Sequence, residues 1–151
     1  MYYGQKFFLV IGRVFLAIIF LLAGVNKILD WGATEENLSM MLSNWINYTS
    51  HIEMVSKAFE FLLPWSSALL GIAAFLEIFG GLLVFFGLAD KAGAVLLLIF
   101  LIPTTIIFHH FWFLEGSKHD LELIMFLKNT AIIGGLFILL AVNKKPKRQN
   151  V

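Results

Sequence analysis

The chain has 151 residues, 60% of them hydrophobic and 14% charged, with a formal net charge of +1. At a mean hydropathy of +0.87, a soluble domain of this length would leave too much apolar surface in water. The absence of cysteine excludes a disulfide scaffold, thiol redox chemistry, thiolate metal sites and covalently attached c-type haem.

Four apolar runs, at about 7–29, 66–89, 92–113 and 122–142, each reach the roughly 20 residues that a helix needs to cross a ~30 Å hydrocarbon core. Lipid offers the backbone no hydrogen-bond partners, so helices are the expected form. The first run exceeds the length of a signal-peptide core and lacks an A-x-A-like cleavage site, so it reads as a retained span. In the outer loop 30–65, Leu38, Met41, Leu42, Trp45 and Ile46 share one helical face, as do Ile52, Val55, Phe59 and Leu62. This predicts two short amphipathic helices, which either lie along the membrane surface and lid the bundle or pack on it for stability alone. Gly80–Gly81 in the second span and Gly134–Gly135 in the fourth permit close backbone approach. The similarity of GGLLV to GGLFI suggests two related hairpins joined at Asp90–Lys91. After the last span comes a basic tail, 143–151, holding Lys144, Lys145, Lys147 and Arg148. The positive-inside rule places it in the cytoplasm. Four spans return the N-terminus and Lys6 to that side, and the acidic loops face outward. The expected architecture is a single all-α membrane domain over 1–151: a four-transmembrane-helix, up-down bundle, N-in and C-in.

Ionisable residues inside a span cost about 2.5–3.5 kcal/mol each and need a compensating environment. Arg13, Glu77 and Lys128 fall within spans, Lys27 at a span end, and His109 and His110 near another. At 1.5 Å per residue, Glu77 lies roughly 16 Å below the outer end of its helix, Lys128 and Asn129 about 9–11 Å, and the histidines ~5–6 Å. Asn26 and Lys27 lie close to the same boundary. All four spans therefore bring polar groups to the outer half, which predicts a pocket lined by Asn26, Lys27, Glu77, His109, Lys128 and Asn129. There His109 would exchange a proton and Lys128 would hold an anionic or carbonyl group. The competing reading is that the cluster only fixes helix register. Arg13, roughly 9 Å from the cytoplasmic end, either pairs with Glu77 or snorkels to the inner headgroups. On a continuous helix His109 shares a face with Thr105 and Trp112 and turns toward the bundle, leaving His110 at a helix interface or the headgroups. Thr104 or Thr105 is expected to satisfy the carbonyl freed by Pro103. Adjacent histidines on a helix cannot both ligate one metal, so no metal site is predicted.

These residues resemble the DoxX-like family. GRVFLAIIFLLAGVNKIL carries its Arg…Ala-Gly…Lys pattern, and FLEIFGGLLVFFGLADKAGAVLL its Glu-x-x-Gly-Gly segment. PTTIIFHHFW is similar to its Pro-Thr…Phe-His-x-Phe-Trp pattern, and FLKNTAIIGGLFILL to its Phe-x-Lys-Asn-x-Ala-x-x-Gly-Gly signature. The resemblance covers all four spans and adds weight to Arg13, Lys27, Glu77, His109, Lys128 and Asn129, with His110 in a variable slot. It implies a multi-pass protein of the bacterial inner membrane. The family takes its name from small membrane subunits of thiosulfate:quinone oxidoreductases. Other members belong to redox-stress complexes, and distant eukaryotic relatives are cargo receptors or receptor chaperones.

The chain carries no dinucleotide fingerprint, haem attachment motif or iron–sulfur cysteines. The leading expectation is a quinone-binding or redox-associated subunit of a membrane oxidoreductase rather than a self-sufficient enzyme. Quinone is the candidate cofactor. The alternatives are a non-catalytic scaffold or chaperone, and a small-molecule or lipid transporter. Candidate partners are the lipid bilayer, a membrane or periplasmic redox subunit, and a second copy of the chain; nothing points to nucleic acid.

Overall fold

The computed structural model describes residues 3–142; the basic tail 143–151, on which the predicted orientation rests, lies outside the described residues. These form six α-helices: α1 (Tyr3–Leu29), α2 (Trp31–Tyr48), α3 (Glu53–Leu62), α4 (Ser66–Phe85), α5 (Asp90–Phe108) and α6 (Gly116–Ala141). No strand occurs among them. Four helical paths are long and apolar enough to span a membrane: α1, Glu53–Phe85, Asp90–Phe113 and α6. Only 17% of the most apolar stretch of α1, and of α6, is buried within the protein. Phe8, Phe15, Leu127 and Ile138 point outward, which is the surface a hydrocarbon solvent requires.

The spans pack in chain order, α1 on α4, α4 on α5 and α5 on α6, while α1 and α6 meet only sparsely. Glycines set the closest approaches. A Cβ on Gly80 would meet Leu97 at 3.1 Å and the Gly93 carbonyl at 3.2 Å, and one on Gly81 would meet Leu21 at 2.9 Å. The pair thus seats α5 on one side of α4 and α1 on the other. The second pair does less: a Cβ on Gly135 meets Leu16 at 3.1 Å, but Gly134 faces open space. The core between these helices is built on Ala17, Phe20, Val84, Leu97, Leu101 and Leu136.

The predicted amphipathic helices are present. Leu38 and Leu42 of α2 pack with Leu70 of α4, flanked by Phe59, Leu62 and Ile107. α3 runs on into α4 through a 3₁₀ turn at Leu63–Trp65 that carries Pro64, so the second span has a helical extension instead of a free lid. α4 ends where Gly87 adopts φ +66°, a conformation glycine takes without steric cost. The third spanning path reaches the expected Phe113, but not as one continuous helix: α5 stops at Phe108, His109 at φ −111° and ψ 56° leaves the helix, and a 3₁₀ turn at Phe111–Phe113 completes the path. Two side chains occupy the terminal Ile107 carbonyl. Trp45 Nε1 donates to it at 2.9 Å, and His110 Nδ1 donates at 3.0 Å. Helix ends need such partners for their last carbonyls. The fourth span starts earlier than expected, at Gly116, because the polar stretch after Glu115 is already helical.

Candidate functional site

Two ion pairs organise the bundle, and neither is the Arg13–Glu77 pairing that was one of the two readings open for Arg13. Glu77, 2% exposed, pairs with Lys27: Nζ donates to Oε1 at 3.0 Å and lies 2.8 Å from Oε2. Arg13 Nη1 instead donates to both carboxylate oxygens of Asp90, at 3.1 and 3.2 Å. Antiparallel register explains the exchange. Gly24 of α1 faces Glu77 and Ile78, and Ala17 faces Gly81. Lys27 is therefore level with Glu77, while Arg13, about 21 Å along the axis from Lys27, is level with the α4–α5 turn. A Cβ on Gly87 would collide with the Arg13 guanidinium, so that turn is shaped around the arginine.

Above the Lys27–Glu77 pair lies a cavity of about 660 Å³ between the ends of α1, α2 and α5. Asn26, Lys27, Asp30, Thr34, Asn37, Thr104 and His109 supply its polar lining. The Lys27 ammonium also stands over the Phe100 ring, 5.4 Å from its centroid, a cation–π position. At the rim His109 Nδ1 donates to Glu122 Oε2 at 2.7 Å. His109 therefore reaches the cavity from beyond the helix end; the helical face it was expected to share with Trp112 does not exist.

Asn26, Lys27 and His109 of the predicted set line this cavity, with Glu77 directly behind Lys27. Lys128 and Asn129 do not. Lys128 is exposed, its nearest polar contact being Met125 Sδ at 3.2 Å. Asn129 is buried and donates to Thr105 Oγ1 at 3.2 Å, tying α6 to α5. Neighbours on a helix point about 100° apart, and here the asparagine has the inward position. Thr105 Oγ1 donates to the Leu101 carbonyl at 2.6 Å, not to the Ile99 carbonyl one turn before Pro103. His110, expected at an interface or the headgroups, is 4% exposed in a nest of Trp45, Tyr48 and Phe113. Sequence reasoning missed Asp90 and Glu122 as partners, and Thr34 and Asn37 as lining. The acidic pair was visible as charges near span ends; the α2 residues gave no signal, because a polar face on a surface helix is ordinary.

Fold and site together define a multi-pass, all-helical membrane protein with an ion-paired polar cavity at one end of the bundle. A family model described as DoxX matches residues 8–110, and the chain belongs to that family. It is also similar to inner membrane protein YphA of Escherichia coli (strain K12), 25% identical over 134 residues that cover 89% of this chain and 81% of that one. No solved structure matches it.

Proposed function

We propose that this chain is a bacterial inner-membrane subunit that binds a quinone headgroup on behalf of a redox partner. One observation carries the reading: Lys27, backed by the buried Glu77, lines a cavity whose other polar groups come from Asn26, Asp30, Thr34, Asn37, Thr104 and His109, with Ala23, Leu29 and Phe108 completing its wall. Lys27 remains 22% exposed, so its ammonium has donor hydrogens to offer a carbonyl oxygen as well as Glu77. Glu77 is placed to exchange protons through that contact, and His109 with Glu122 supplies a second exchange point at the rim. Electrons would come from the partner, since the sequence carries no cofactor motif of its own. The inner-membrane assignment rests on the name of the relative and on the resemblance to the family. The N-in, C-in orientation, set by the basic tail, would turn the cavity to the outer side.

The test is titration of the purified protein, in quinone-free detergent, with a soluble short-tailed quinone. Wild type is expected to bind. The charge-removing double variant Lys27→Met/Glu77→Gln should bind about tenfold more weakly or worse, a loss of ~1.4 kcal/mol. Equal affinity in the two proteins would sink the headgroup reading. A partner protein that co-purifies with the quinone-free double variant would favour the scaffold alternative.

A further inference from the structure

The polar cavity continues past Lys27. A second slot, of about 330 Å³, shares Lys27, Thr34, Thr104 and Phe108 with it and runs between α4 and α5 beneath α2. Its volume is within the roughly 300–1,000 Å³ of small-molecule sites, but its character is different. Beyond the shared residues the lining is entirely apolar, with Leu38 and Leu42 of α2 as its roof and Ala73 and Leu76 on its α4 wall. Ile72 and Ile99, on its two walls, are 57% and 56% exposed. The slot therefore reaches the outward face of the spans, where the solvent is hydrocarbon.

A polar chamber and an apolar slot that meet at one lysine match an amphipathic molecule with a compact head and a long tail. We propose that the α4–α5 slot is a lateral groove for the hydrocarbon tail of a bilayer-resident ligand whose head stops at Lys27. This rests on the headgroup reading for the identity of the head. A long tail delivered through the polar cavity would have to cross water, which the hydrophobic effect opposes; entry between Ile72 and Ile99 keeps it in an apolar medium throughout. Ala73 is the specificity-determining position, since its small side chain leaves the groove open.

The experiment uses the full chain in phosphatidylcholine vesicles with two photoactivatable probes, each carrying a diazirine in an isoprenoid chain. One probe bears a benzoquinone head and the other has no head. Peptide mapping should find both chains on Leu38, Ala73 and Leu76. Ala73→Trp should lower that labelling about tenfold, while labelling of the outward Phe75 and Phe79 stays constant. Ile99→Trp, at an exposed position that tolerates bulk, provides a second plug and should have the same effect. Labelling confined to Phe75 and Phe79, or unchanged by either plug, overturns the groove. Slot labelling by the headless chain, with quinone affinity indifferent to Lys27→Met/Glu77→Gln, retains the groove and removes the quinone. Lys27-dependent binding of a tail-less quinone, with tails found only on outward faces, does the reverse.

Discussion

Arg13 and Asp90 are 13% and 6% exposed, so their pair is largely buried, and removing one partner of a fully buried pair typically costs about 3–5 kcal/mol, an upper bound here. Arg13→Ala is expected to destabilise the protein by up to that amount in denaturant unfolding in a fixed detergent, with Arg13→Lys retaining part of the loss. Gly87→Ala should cost at least ~1–2 kcal/mol from its left-handed backbone alone, and more because the new methyl meets the Arg13 guanidinium. The sequence made the charges conspicuous but not their partners. Intramembrane cost flags Arg13, Lys27 and Glu77 individually, whereas pairing depends on interhelical register, which a chain without its neighbours does not state. Lys128 and Asn129 show the same limit: both are polar, both lie at the same depth, and only packing decides which one turns inward.

At the scale of elements, periodicity located the amphipathic α2 and α3, because a one-sided apolar face is a local property. The end of α5 was not local in this sense. The apolar run continues through Phe113, but the helix stops where Trp45, 62 residues away, meets the Ile107 carbonyl. Trp45→Phe keeps an aromatic ring against Phe59 and Phe113 and removes only the indole donor. A hydrogen bond of this kind contributes roughly 0.5–1.5 kcal/mol net, so amide exchange in α2 and around 107–110 should quicken about threefold to tenfold. Unchanged protection there would mean that ring packing alone holds α2 on α5.

For the whole molecule, four spans follow from hydropathy alone, and the packing of α4 on α5 and of α5 on α6 follows from short connections; α1 meets α4 across the longer segment that holds α2 and α3. The two-sidedness of the membrane is testable because the chain has no native cysteine. In intact cells, Lys118→Cys is expected to react with a membrane-impermeant maleimide. Lys91→Cys, at the opposite end of the bundle, should react only after permeabilisation. The reverse pattern would place the Lys27 cavity on the cytoplasmic side and the proposed partner with it.

The thin contact between α1 and α6 bears on how the protein is made. Each span after the first finds its main docking surface on the one synthesised just before it, so assembly can keep pace with insertion and no early helix waits for a late one. Both buried ion pairs, Lys27–Glu77 and Arg13–Asp90, are complete once α5 has emerged. The span added last brings two polar ties, Asn129 to Thr105 and Glu122 to His109. Biogenesis would thus run as a three-helix unit that acquires its charges in sequence, followed by a fourth helix that closes the rim.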